Sequence, residues 1–190
     1  MKYARFLVLA VVVLAAACSS ETATSPGTNP NHPNFSPNPP GTHFQSASAE
    51  FASATSGDPN GANLDVSFEI AGLGNAASTV HVIVTGHADA LYACQNNGGN
   101  FPTDPKKKDV ASDVKTEDDV TVTNGHASDT FTLVAPASTL RCPGGQHSVL
   151  VSITWTDVQV TVGTGPNAET ADADNSGLDP SYSKGPFFQL

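Results

Sequence analysis

The sequence predicts an all-β protein: an antiparallel β-sandwich, immunoglobulin-like or Greek-key, closed by one disulfide. Three observations carry this. Apolar and polar residues alternate over several long runs, the period of strands with one buried face. Gly, Pro, Asn and Asp cluster between the runs, where turns require them. No segment has a convincing helical period, and "GLGNAAST" is too short and too glycine-rich to make one.

The chain opens on "MKYARFLVLAVVVLAAACSS". Lys2 and Arg5 form a positive start, and residues 6–17 form an apolar run of 12. A bilayer-spanning helix needs about 20 apolar residues, so residues 1–17 read as a secretion signal. "LAAAC" resembles a bacterial lipobox, in which the cysteine is acylated, with palmitate among the acyl groups, and becomes the new N-terminus. Leu14 stands one place earlier than the common pattern has it, and Ala15 takes its position. The alternative is ordinary cleavage after Ala15, Ala16 and Ala17. The polar "SSETATSPG" that follows favours lipidation of Cys18.

Residues 18–45 read as a spacer. Pro26, Pro30, Pro33, Pro37, Pro39 and Pro40 stand among Asn, Ser and Thr with almost nothing apolar. Such a stretch cannot bury enough surface to fold, and its prolines extend it at about 3 Å per residue. Residues 46–190 then have the length of one ordinary domain. In "LDVSFEI", Leu64, Val66, Phe68 and Ile70 share a face. In "TVHVIVTGHADALYAC" the face is Val80, Val82, Val84, Ala88, Ala90, Tyr92 and Cys94. "DVTVT" offers Val120 and Val122, and "DTFTLVA" offers Phe131, Leu133 and Ala135. "SVLVSITWTDVQVTV" runs through Val149, Val151, Ile153 and Trp155, then changes phase to Val158, Val160 and Val162. The phase change at Thr156 and Asp157 predicts a bulge, and Gly86 marks a second candidate. Residues 45–54 and the terminal "PFFQL" are two weaker strand candidates.

Three cysteines pose a question, because an odd number in an exported chain leaves one over. Lipidation of Cys18 leaves Cys94 and Cys142 as a pair in an oxidising compartment. Cys94 lies on the inward face, with Asp89 upstream and no His or Lys within ten residues downstream, which is wrong for an activated thiol. A metal site lacks its spacing. His81 and His87 lie about 20 Å apart along one strand, too far to share an ion, and read as surface histidines. A Cys94–Cys142 staple is the favoured reading. Its loss should loosen residues 95–118 first, since they hold few apolar residues.

At these cysteines the chain resembles a group of small secreted bacterial proteins of unknown function. The resemblance rests on Cys94-x-Asn96-x-Gly98-Gly99, on Cys142-Pro143-x-Gly145-Gln146 and on "TWTDVQV". It covers residues 64–162 and implies a disulfide-stapled β domain with no assigned activity.

Charge excludes one large class of function. The chain has 8 Lys+Arg against 18 Asp+Glu, and loss of Lys2 and Arg5 leaves 6 against 18, a net of −12. So few positive groups argue against a nucleic-acid partner. Lys106, Lys107 and Lys108 form the one basic run and read as a solvated loop. "DADNSG" puts Asp172, Asp174 and Ser176 at the first, third and fifth places of a calcium loop, with Gly177 at the sixth. The twelfth place holds Ser183 instead of Glu, so a plain acidic turn is the favoured reading and calcium the weaker one. "TEDD", residues 116–119, offers paired carboxylates or simply a charged entry to a strand. Hydrolase, P-loop and dinucleotide motifs are absent from the sequence. The expectation is a membrane-anchored, extracytoplasmic lipoprotein of the cell envelope. Its sandwich is non-catalytic and binds an unknown ligand or protein partner through end loops, with "NNGGNFPTDPKKK" the longest. The alternative is a small hydrolase using acidic residues. A carboxylate-lined cleft would favour the hydrolase, and a flat sandwich with an aromatic-bearing loop would favour binding.

Overall fold

Alternation over the predicted runs produces eight strands in a computed structural model of the chain, which describes residues 39–56, 58, 60–74, 78–173 and 181–187. The strands are β1 (His43–Phe51), β2 (Leu64–Ala71), β3 (Thr79–Asn96), β4 (Lys107–Thr121), β5 (Ala127–Leu133), β6 (Gln146–Val162), β7 (Glu169–Asp172) and β8 (Tyr182–Lys184). One sheet has the order β1-β2-β5; the other runs β4-β3-β6-β7, with β8 also pairing β6. Every pairing is antiparallel. The chain changes sheet between β2 and β3, between β4 and β5, and again between β5 and β6. That is the connectivity of an immunoglobulin-like sandwich.

The predicted faces meet in the core. Leu64, Val66 and Ile70 from the first sheet are fully buried against Val82, Val84, Trp155, Val158, Val160 and Val162 from the second. Each such side chain contributes about 1.5–3 kcal/mol through burial. Phe68 and Phe131 pack edge to face with centroids 5.4 Å apart. Trp155 satisfies its indole N–H by donating to the Ala62 carbonyl at 3.0 Å.

The phase change in β6 is a bulge. Thr85 pairs Gln159 and His87 pairs Thr156, so two steps on β3 span three on β6, and Asp157 takes a left-handed φ of 53°. Gly86 belongs to this same bulge. A Cβ on it would lie 2.9 Å from Leu133 Cδ1 and 3.5 Å from Trp155 Cε3, so glycine lets both pack close. A second register shift was not foreseen: Leu91 pairs Ser152 and Tyr92 pairs Leu150, leaving Val151 over.

The two sheets differ in length. β3 has 18 residues and β6 has 17, against 9, 8 and 7 in β1, β2 and β5. The Ala62–Trp155 bond marks where the short sheet ends. Trp155 pairs Ala88, and β3 continues to Asn96. At about 3.3 Å per residue that overhang is about 26 Å long. Residues 134–145, between β5 and β6, fold over it as a strap. Tyr92 Oη donates to the Pro136 carbonyl at 2.5 Å, the Ser138 and Ser148 hydroxyls lie 2.5 Å apart, and Leu140 packs on the core. Asn63 Oδ1 accepts from the Ala135 N–H at 2.9 Å. The Cys94–Cys142 disulfide, with Cα atoms 5.5 Å apart, ties the strap to the end of β3.

Some expectations change. Residues 107–121 form one strand, so Lys107 and Lys108 belong to β4 rather than to a loop, and residues 116–119 lie within that strand rather than at its entry. The alternation there was hidden, because its inward positions run Val110, Ser112, Val114, Thr116, only half of them apolar. Residues 107–118 are therefore held by the β3 ladder, and the strap, not the stretch 95–118, depends on the disulfide. β1 begins at His43, inside the stretch read as spacer. β7 and β8, too short to show a period, share the free edge of β6. Phe187 lies outside any strand and donates its N–H to the Val151 carbonyl at 2.8 Å, while residues 188–190 lie outside the described residues. No helix among the described residues is long and apolar enough to cross a membrane.

Candidate functional site

The sandwich has two unlike ends. At the first, which we call the base, Pro39 leads into β1, where His43 pairs Ala71. The Thr42 N–H and hydroxyl both donate to the Pro39 carbonyl, at 3.1 and 2.9 Å. At the second, the tip, the loop 97–106 meets the strap at the end of β3, and residues 52–56, 58 and 60–63 close the short sheet beside the start of the strap, where Asn63 holds the Ala135 N–H. The tip is the end with most built into it.

The tip loop after Cys94 is a hydrogen-bonded turn. Asn96 Oδ1 accepts from the Gly98 and Asn100 N–H groups at 3.0 and 2.9 Å. Buried Gln95 donates from Nε2 to the Gly99 carbonyl at 2.9 Å, and Gly99 supplies the positive φ the turn needs. The Cys94 N–H closes the loop by donating to the Lys106 carbonyl at 2.9 Å. Lys106 then reaches across with Nζ to donate to the Arg141 carbonyl at 3.0 Å. This brings Lys106, Lys107, Lys108 and Arg141 to one exposed end, although 35 positions separate the outer pair in sequence.

The outer face of the long sheet carries a second constellation. At the bulge a concavity of about 390 Å³ is lined by Thr85, Gly86, His87, Asp113, Val114, Lys115, Asp157 and Gln159. His87 Nδ1 lies 2.6 Å from Asp113 Oδ1, and Nε2 lies 3.7 Å from Asp89 Oδ2. The Asp113 hydrogen bond holds the imidazole above its ordinary pKa of 6.5; slight burial opposes it, and Asp89 and Asp157 reinforce it. The ring therefore binds its proton more tightly than a free imidazole, with carboxylates facing both nitrogens. Farther along, His81 is buried, not the surface histidine expected. Its Nδ1 lies 2.9 Å from Asp119 Oδ1 and its Nε2 3.5 Å from Glu117 Oε2. Lys115 lies 2.6 Å from Glu117 and, by hydrogen bonding, holds that carboxyl below its ordinary range, with His81 adding to the effect. A carboxyl shifted downward is the wrong kind for a general acid near neutrality.

The residues singled out in the sequence fall as follows. Cys94 and Cys142 form the disulfide, and Cys94 is fully buried, so neither serves as a nucleophile. Asp172 ends β7, and its Oδ1 accepts from Gln159 Nε2 at 3.2 Å. Asp174, Ser176 and Gly177 lie outside the described residues, as does Cys18. Ser183 sits in β8 with its hydroxyl 3.0 Å from that of Thr154. Among the described residues no three His, Cys, Asp or Glu side chains are placed to hold a metal ion. The bulge concavity and the meeting of Arg141 with Lys106 were missed. Only the phase change at Asp157 hinted at the first, and nothing local signalled the second. No protein-family model matches the chain, and no curated protein sequence matches it.

Proposed function

We propose that this protein is a bacterial envelope lipoprotein whose sandwich is a non-catalytic binding module, with the stapled tip as its binding end. Acylated Cys18 anchors it to the membrane, and the Pro/Asn-rich stretch carries it into the extracytoplasmic space. The resemblance to small secreted bacterial proteins agrees with that placement. One observation supports the binding end above all: Pro39 enters at the base, while the disulfide, the strap and the hydrogen-bonded loops lie at the tip. With β3 about 60 Å long, an anchored chain presents the tip outward. Preordered loops also bind at lower entropic cost than loose ones. A photo-crosslinking residue at Thr103 or Thr139, tested on intact cells, should capture a partner. The same residue at Asn167 on the base should not. Capture from the base alone rejects the reading, and Cys18→Ser should release the protein from membranes.

A second reading, a small hydrolase using acidic residues, draws on Asp113 and Asp157 in the bulge concavity. It predicts hydrolysis of chromogenic ester or glycoside substrates that Asp113→Asn and Asp157→Asn each abolish. The lowered pKa of the Glu117 carboxyl argues against that group as a general acid.

A further inference from the structure

We infer that the tip binds an anionic polysaccharide through Lys106, Lys107, Lys108 and Arg141. The inference rests on the tip being the binding end and names its partner's chemistry. All four side chains are exposed, and the Lys106–Arg141 bond fixes the two segments together. The tip segments add Asp58, Asp104 and Asp109, of which Asp58 is buried and accepts from the Asn63 N–H at 2.7 Å. The other described residues hold only Lys115 and Lys184 against twelve Asp and Glu, and the Lys184 ammonium is tied to the Gly61 carbonyl at 2.8 Å. The cations are therefore concentrated at the tip, four against three acids, while the body is strongly negative.

Distance decides whether the body cancels the tip. Lys107 and Asp113 are six residues apart on β4, about 20 Å at the rise of a strand. The Debye length at physiological ionic strength is about 8 Å, so exposed Asp89, which pairs Ala111 about 13 Å along the strand from Lys107, is largely screened, and Asp113 and the acids beyond it more so. Asp104 and Asp109 lie close enough to offset part of the charge. The negative body repels a polyanion everywhere else, which steers it to the tip.

The kind of polyanion follows from what surrounds the cations. Single-stranded nucleic acid is held by exposed aromatic platforms, and the one aromatic residue in the three tip loops is half-buried Phe101. Four cations also fall short of the roughly 6–10 phosphate contacts of a typical duplex binder. Exposed Asn97, Asn100 and Thr103 instead offer amides and a hydroxyl beside the lysines, suited to a chain of spaced carboxylates and hydroxyl groups.

The test uses the mature chain carrying Cys18→Ser and a fluorescent alginate oligomer, a polyuronate, with neutral dextran of equal length as control. The chain should bind alginate and not dextran, and more weakly as salt rises. Lys107→Gln/Lys108→Gln/Arg141→Gln spares the Lys106 Nζ–Arg141 carbonyl bond, so the loops keep their ties. It should lower affinity at least about tenfold and flatten the salt dependence. Lys115→Gln should leave binding unchanged. No alginate binding, equal binding by the triple variant, or an equal loss in Lys115→Gln overturns the inference. So does a single-stranded DNA or acidic peptide of the same charge that binds the same residues as tightly. If tip crosslinking on cells persists while alginate fails, the polysaccharide falls and the binding end stands. If both fail, both readings fall.

Discussion

Replacing both cysteines, as Cys94→Ala/Cys142→Ala, should cost most of the strap and little of the sheets. The bond closes 48 positions of sequence, and the chain-entropy model assigns such a loop about 4 kcal/mol. For a domain near 150 residues this corresponds to a fall in Tm of about 8–16 °C. The loss is not spread evenly. Without the bond, residues 134–145 keep the Tyr92–Pro136 bond, the Ser138–Ser148 pair and the Leu140 packing, each worth about 1 kcal/mol. β4 keeps its full ladder to β3. Urea unfolding followed by the fluorescence of the single Trp155 gives the global loss, and hydrogen exchange gives its location. Exchange should rise in residues 134–145 and at the Cys94 N–H, with residues 107–118 unchanged. A loss below about 1 kcal/mol, or faster exchange in residues 107–118 with a quiet strap, refutes the reasoning.

Gly86→Ala places a methyl 2.9 Å from Leu133 Cδ1 in a filled core, and should destabilise by about 1–3 kcal/mol in urea melts. Tyr92→Phe removes the donor to the Pro136 carbonyl, and should cost about 1 kcal/mol while speeding exchange in the strap more than in β3. His87, titrated by NMR, should show a pKa above 6.5, and Asp113→Asn should bring it down. Because the folded value is the raised one, the stabilisation is full below pH 6.5 and is lost as pH rises through the folded pKa. Unfolding that shows the opposite slope above pH 6.5 contradicts the Asp113 and Asp89 contacts.

Sheet membership was legible wherever one face is apolar throughout. Leu64, Val66, Phe68 and Ile70 alternate without a break and all are buried. The bulge was legible because a shift of phase in β6 has no other cheap cause. β4 was not, because an edge strand beside a short facing sheet buries its inward side chains only in part, and Ser112 and Thr116 suffice there. The disulfide could be argued from the face that Cys94 occupies, but its role could not. The strap exists because one sheet outruns the other, and relative strand length is a property of the assembled fold. The meeting of Arg141 with Lys106 has the same origin. The buried position of His81 also escaped notice, since a histidine at an outward strand position carries no mark of the Asp119 and Glu117 that flank it.

The central claim is that the stapled tip faces away from the anchor. The direct measurement uses the acylated mature chain in vesicles containing a lipid-headgroup quencher, with a fluorophore at position 103 on the tip or 167 on the base. The account predicts strong quenching at 167 and weak quenching at 103, as a sandwich about 60 Å long should give. Equal quenching at both positions, or stronger quenching at 103, contradicts it.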